Sequence, residues 1–152
     1  MGDAHQYRIN LSAPNLVNVC IDNNENGDIS GRMYCCYHKE PVLFSSVIDL
    51  IRKMENLFDA ISFPQASTRT RMFLQNKEIN AGVQAKLEKV VSQEEIIKHT
   101  GRLGTFITSV RFRQNSTWQG EVFWVEEETV YRFTDSLEFI RNIDRAVSGL
   151  KK

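Results

Sequence analysis

The chain has 152 residues, in which nineteen Lys and Arg balance nineteen Asp and Glu, with 41% hydrophobic and 25% charged residues. That is an ordinary globular composition, long enough for one domain or two very small ones sharing a core. Zero net charge argues against a generic polyanion binder, and no apolar run approaches the roughly 20 residues of a membrane helix.

The opening stretch, Met1 to Gln6, carries neither an apolar signal region nor the Ser or Thr at position 6 of a myristoylation signal. Val17, Val19 and Ile21 alternate with Asn18, Cys20 and Asp22, which is a strand period. The run from Asn23 to Asp28 contains Asn26-Gly27, a hairpin-turn pair, and Ile29 to His38 reads as the returning strand. Val42 to Phe44 forms a short third strand, after which Ser45 or Ser46 caps a helix. That helix carries Val47, Leu50, Ile51, Met54, Leu57, Phe58 and Ile61 as one apolar stripe, and Pro64 stops it.

Residues 65–100 read as a connector. Ala81 to Val91 has helical propensity, Ser92-Gln93-Glu94-Glu95 looks like a capping box, and a mobile connection is expected within 75–100. A second run of strands follows. Phe106, Thr108, Val110 and Phe112 alternate with Ile107, Ser109, Arg111 and Arg113; Gln114 to Thr117 turns the chain. Trp118 to Val125 and Thr129 to Phe133 are the next strands, and Thr134 or Asp135 caps a helix with the stripe Ser136, Phe139, Ile140, Ile143, Ala146, Val147 and Leu150.

Laid over one another without a gap, Leu16–Glu55 and Thr105–Asp144 place Gly31 on Gly120, Phe44 on Phe133 and Ile51-Arg52 on Ile140-Arg141. The agreement lies in pattern more than identity. It predicts an α+β fold of two strand–strand–strand–helix pseudo-repeats, antiparallel sheets packed on helices, over residues 1–64 and 101–152, joined by 65–100 and packed as one domain. Whether the repeats share one sheet or form two is open. Val122 and Trp124 project to one face, Phe123 and Val125 to the other, so each sheet needs cover on both faces, from the other repeat, the connector or a second copy.

Chemical motifs are sparse. Cys20, Cys35, Cys36 and His38 lie on neighbouring strands without a paired Cys-x-x-Cys knuckle, so no metal site is expected. Three cysteines without a framework read as reduced cytoplasmic thiols. Neither G-x-x-x-x-G-K-[ST] nor G-x-G-x-x-G occurs, and Asp49, Glu55, Glu138 and Asp144 sit off the apolar stripes as solvated carboxylates. No enzyme activity and no cofactor are expected. The candidate binding residues are Arg111, Arg113, Gln114, Asn115, Trp118 and Gln119, the second hairpin, because Trp and Arg most often dominate contact surfaces. The reading is a non-enzymatic binding, adaptor or regulatory protein whose partner is a protein or a second copy of itself, with no membrane.

The strand order with Trp118 on the second strand and Phe133-Thr134 before the helix resembles the plant ethylene-response-factor domain and the arm-binding domain of phage-type integrases. Those three-stranded sheets face DNA with Arg and Trp, so the alternative function implied is nucleic-acid binding by the second repeat. The runs from Val110 to Gly120 and from Phe133 to Asp144, with Phe63 to Ser67, are similar to a group of short clostridial (Firmicutes) proteins. That resemblance implies a bacterial, cytoplasmic protein and carries no activity or site.

Overall fold

The computed structural model describes residues 11, 13–25, 28–63, 88–114 and 117–150. It is an α+β fold built on one six-stranded antiparallel sheet. The strands are β1 (Val17–Glu25), β2 (Asp28–Cys35), β3 (Val42–Phe44), β4 (Gly104–Gln114), β5 (Thr117–Trp124) and β6 (Thr129–Phe133), in the order β3-β2-β1-β4-β5-β6. The helices among the described residues are α1 (Val47–Ile61), the one-turn α2 (Gln93–Ile97) and α3 (Ser136–Leu150), with a 3-10 turn at Val125–Glu127.

The question of one sheet or two is answered by β1 and β4, which pair antiparallel at the centre from Val17 opposite Thr108 to Ile21 opposite Gly104. Asn18 faces Ile107 in the middle of that ladder. Both halves therefore contribute three strands to a single sheet, and neither hairpin keeps an open inner edge.

Each long hairpin is interrupted at one point. The register of β1 on β2 shifts between Ile21 and Asn23, and that of β4 on β5 shifts between Val110 and Phe112. A glycine sits beside each bulge: a Cβ on Gly31 would lie 2.0 Å from the Cys20 carbonyl oxygen, and one on Gly120 would lie 2.1 Å from that of Ser109. These are contacts no side chain survives, so the absence of Cβ is what lets the two backbones close.

The entries to α1 and α3 are also alike. Ser46 Oγ accepts from the Asp49 amide at 3.0 Å, and Asp49 accepts from the Ser45 amide at 3.0 Å. Asp135 accepts from the Glu138 amide at 2.7 Å, and Glu138 accepts from the Thr134 amide at 2.9 Å. Both pairs satisfy orphan N–H groups reciprocally and put an acid in the first turn, where the helix dipole favours it. The Ser45 amide, followed by Lys53, holds the Asp49 carboxyl below the usual aspartate range.

Both long helices lie on the same face of the sheet, over a core that includes Val17, Val19, Met33, Leu50, Phe58, Phe106, Val122, Phe139 and Val147. The predicted stripes are the buried faces, with Leu50, Met54, Leu57 and Phe58 from α1 and Phe139, Ile143, Ala146 and Val147 from α3. The opposite face carries a smaller apolar cluster of Leu16, Ile107 and Phe123, against which Leu11, Ile97, Val125 and Val130 pack. Phe123 and Trp124 thus point to opposite sides, as their alternation requires. Cover for this second face comes from within the chain: the segment ending at Leu16, and the connector around α2. The amides of Val90 and Val91 both donate to Cys36 O, Leu103 donates to Ile21 O at 2.7 Å, and Ser92 caps α2.

Several local expectations change. The strand expected from Ile29 to His38 stops at Cys35, because Cys36 and Tyr37 turn the chain. Residues 88–91 are not helical, and the described end of the connector, from Val90 to Leu103, is anchored by the bonds just given. Residues 75–87, Pro64 and Asn26-Gly27 lie outside the described residues.

Gly31→Ala and Gly120→Ala should each destabilise by about 2–4 kcal/mol, since a backbone oxygen blocks the new methyl. Urea midpoints measure this, and a loss under about 0.5 kcal/mol at either site would mean the bulge is not needed for closure.

Candidate functional site

The second hairpin was the expected surface, and the structure divides its residues. The bulge at Arg111 reverses the alternation of β4 beyond it. Phe112, expected inside, is 59% exposed, whereas Arg113, expected outside, is 4% exposed. Extra backbone at one point moves every following side chain to the other face, and the sequence period gives no warning of it. Arg113 therefore turns toward α1. Its guanidinium contacts Glu55 at 2.7 Å and Asp59 at 3.0 Å and lies 5.5 Å from the centre of the Phe58 ring. Trp118 is fully buried between Phe58 and Phe139, and its indole N–H donates to the second Glu55 oxygen.

Glu55 is thus a specific acceptor rather than a solvated carboxylate; only the three-dimensional approach of α1 to the hairpin reveals it. Arg113 and Trp118 are spent on the interior and offer no open surface. Arg111 and Gln119 are exposed, and Arg111 pairs with the nearly buried Glu121 at 2.8 Å, with Arg132 at 3.7 Å on its other side. The side chain of Gln114 and all of Asn115 lie outside the described residues.

A better-formed recess occurs in the first half, on the face opposite α1 and α3. A cleft of about 510 Å³ lies between α2 and the β2–β3 turn, with Tyr34, His38, Lys39, Val91, Glu95 and His99 among its lining residues. Its inner wall is a parallel stack of Tyr34 on His99, ring centroids 3.8 Å apart. The stack is held from both sides. Arg32 donates to Tyr34 Oη at 2.8 Å, to both oxygens of Asp22 at 2.8 and 3.0 Å, and to the Thr100 carbonyl at 2.8 Å. Asn18, buried in the central strand, donates to the carbonyls of Ile96 and His99 at 2.8 and 2.9 Å and so fixes the end of α2. Asp22 also accepts from the Arg102 amide, which ties the loop after α2 to the bulge of β1. Burial works to raise the Asp22 carboxyl, but the Arg32 hydrogen bond and then the Arg102 amide outweigh it and hold it below the usual range. Asp22 in turn raises the Arg32 guanidinium, which stays charged.

The cysteines do not converge. Cys35 belongs to the helix-covered core, Cys20 lies on the opposite face bonded to Asn18 Oδ1, and His38 is on the rim of the cleft beyond the end of β2. Cys36 and His38, expected on a strand, both lie past the end of β2. Burial pushes the Cys20 thiol up to about 12 and raises those of Cys35 and Cys36, so all three are protonated and poorly nucleophilic. Among the described residues, no group of three His, Cys, Asp or Glu side chains is placed to hold a metal ion, and no helix is long and apolar enough to cross a membrane.

Comparison with known proteins finds no matching family model, no matching curated protein and no matching solved structure.

Two predictions follow from these charge clusters. Arg113 is buried while Glu55 and Asp59 are 35% and 43% exposed, so deleting the acids should cost more than deleting the base. The double variant Glu55→Ala/Asp59→Ala takes both carboxylates from a buried guanidinium and the acceptor from the Trp118 N–H, for a loss of about 3–5 kcal/mol. Arg113→Met leaves carboxylates that rehydrate, for about 1–2 kcal/mol. Urea unfolding in the reverse order would contradict this burial pattern.

Asp22 sets a pH dependence. Its folded value lies below its unfolded one, so its contribution is fully present above the unfolded value of about 3.9 and is lost as pH falls through the folded value. Asp22→Asn should therefore flatten the acid limb of the stability curve below about pH 4. Unchanged limbs in wild type and variant would show the Arg32 pair to be indifferent to folding.

Proposed function

We propose that this protein is a non-enzymatic binding module, an adaptor or regulatory protein, and that its partner surface is the Tyr34–His99 cleft rather than the second hairpin. The observation that carries this reading is the pre-organised wall. Arg32 holds the Tyr34 hydroxyl, Asn18 holds the His99 backbone carbonyl, and the two rings stack on each other, so the wall is set before any partner arrives and little ordering cost remains at binding. The rim suits a particular chemistry. Exposed His38 and Lys39 stand on the β2–β3 side, and half-exposed Val90 extends an apolar lip. A protein segment with an aromatic or aliphatic side chain next to a carboxylate fits that combination. Three buried free thiols fit a reducing, cytoplasmic setting.

We also infer that the chain is a duplicated βββα unit. Its support is the coincidence of features under one gapless overlay: the bulges, Gly31 with Gly120, Ser46 with Asp135, Asp49 with Glu138, and the central ladder, in which Asn18 and Ile107 are both partners and counterparts. Such a ladder is what an isologous pair of units would form, now within one chain. Self-association through a further surface stays part of the reading. The exposed Leu43, Ile48 and Leu137 are its candidate contacts.

Nucleic-acid binding is the second reading, favoured only by Arg111 and Arg132 on the open end of β4–β6. Both flank Glu121, and the other two residues expected to read DNA, Arg113 and Trp118, face inward.

The test is titration of the full chain with a capped acidic-aromatic hexapeptide, Glu-Phe-Glu-Glu-Leu-Glu, by fluorescence anisotropy. His38→Ala/Lys39→Ala should weaken binding about tenfold, or about 1.4 kcal/mol, and Arg111→Ala should not change it. Binding lost in Arg111→Ala, or a labelled DNA duplex bound with a steep salt dependence, would overturn the cleft reading in favour of the hairpin. Sedimentation velocity of the same samples reads self-association directly.

A further inference from the structure

The two halves differ most where α1 and α3 meet the hairpin ends. In the second half, three aromatic rings fill that space: Trp118 lies 5.5 Å from Phe58 and 5.8 Å from Phe139, centroid to centroid, and donates its N–H to Glu55. Under the overlay that defines the duplicated unit, Trp118 corresponds to Ile29, Phe58 to Val147, Phe139 to Leu50 and Glu55 to Asp144. Each ring is exchanged for a smaller aliphatic side chain, and the acid is kept.

Leu50 and Val147 are fully buried, whereas the counterparts of Trp118 and Glu55, Ile29 and Asp144, border an opening. A pocket of about 200 Å³ opens there, lined by Asp28, Ile29, Val47, Ile140, Arg141 and Asp144. Ile29 is the buried floor, Val47 and Ile140 are half-buried walls, and the three charged residues are the exposed rim. An apolar cavity of about 150 Å³ is known to hold benzene, so this one has room for a flat bicyclic ring. Asp28 is already engaged, since one of its oxygens accepts from the Ile29 and Val47 amides at 2.9 Å each. Asp144 has no hydrogen-bond or ion-pair partner among the described residues, so its carboxylate is available.

We propose that this pocket is a binding site for a small planar heteroaromatic compound bearing an N–H donor, of indole size. The ring would lie on Ile29 between Val47 and Ile140, and its N–H would donate to Asp144 as the Trp118 indole donates to Glu55. Arg141 on the rim supplies a cation for the ring face. The site lies on the helix-covered side, away from the Tyr34–His99 cleft. It rests on the duplicated-unit reading and is independent of the peptide reading.

The test uses the full chain and indole as the probe, followed by ¹H–¹⁵N correlation spectra. Saturable shifts are expected at Ile29, Val47, Ile140 and Asp144. Indene, which has the same shape but a CH₂ in place of N–H, should bind at least about fivefold more weakly, and Asp144→Asn should weaken indole by a similar factor. Ile29→Trp, which supplies the missing ring from within, should abolish the indole shifts. If that variant does not fold, the indene and Asp144→Asn arms still decide.

Indene binding as tightly as indole would show that the carboxylate plays no part and would overturn the proposal. So would the absence of saturable shifts up to about 5 mM, a weak limit for a ligand of this size. Shifts confined to Tyr34 and His99 would move indole to the cleft and also overturn it. His38→Ala/Lys39→Ala, which tests the peptide site, should leave indole binding unchanged, so either site fails without the other.

Discussion

The pairing of β1 with β4 is the contact on which the architecture depends. Each half has three strands and one long helix, and each would otherwise expose a long inner strand edge. Joining those edges turns two thin, marginal sheets into one of six strands. The join also determines sidedness. With Asn18 opposite Ile107 and Val19 opposite Phe106, the valines of β1 and the phenylalanine of β4 fall on the side where α1 and α3 lie. A shift of one residue in this ladder would turn the inward set of one half out to solvent.

The other side of the join has a different character. Where the helices cover a continuous apolar layer, the second face mixes a small apolar cluster with a polar network, and its cover is a connector held by hydrogen bonds from both the backbone and the side chains of the sheet. Asn18 is central to this arrangement. A carboxamide in the innermost strand would be costly if unpaired, and here its two donated bonds fix the end of α2 over Tyr34. The polar group buried at the sheet centre thus positions the wall of the cleft. Asp22, at the β1 bulge, performs the matching task from the other end by holding Arg32 and the Arg102 amide. A bulge that exists to let Gly31 approach Cys20 also aims the acid that stiffens the cleft.

The elements of this fold were legible because they obey simple periods. The alternation of Val17, Val19 and Ile21, the stripes of both long helices and the two-sided demand of Phe123 and Trp124 all match the structure, and the caps, narrowed to Ser45 or Ser46 and to Thr134 or Asp135, prove to be Ser46 and Asp135. What escaped were the places where backbone geometry breaks a period. A single bulge at Arg111 sends Arg113 inward and Phe112 outward, and with them goes the expected contact surface. The one available sign was Gly120, a glycine within a strand pattern, which marks a bulge or a close backbone approach. Likewise, the partnership of Glu55 with Trp118 and Arg113 joins residues far apart in sequence, and no local spacing encodes it. The cleft was illegible for a related reason: His99 reaches Tyr34 only because the connector folds back across the sheet.

Duplication, on the reading proposed above, accounts for a symmetric frame carrying unlike recesses. The features that correspond are those that chain closure requires: glycines at bulges, helix caps, the central ladder. The positions that have diverged surround the openings. Tyr34, which helps wall the cleft, has Phe123 as its counterpart, and Phe123 is sealed under Leu16, Ile107 and Val125. His38 and Lys39 on the cleft rim correspond to Glu127 and Glu128, which reverses the charge at the equivalent turn. On the helix side the asymmetry runs the other way, with the second half filled by Trp118 and the first left open above Ile29. On that reading the opening above Ile29 corresponds to a space that Trp118 fills in the second half, whereas the cleft owes its outer wall to the connector, which belongs to neither unit. A frame that tolerates such exchanges without losing its pairing leaves two separate surfaces free to acquire ligands of different chemistry.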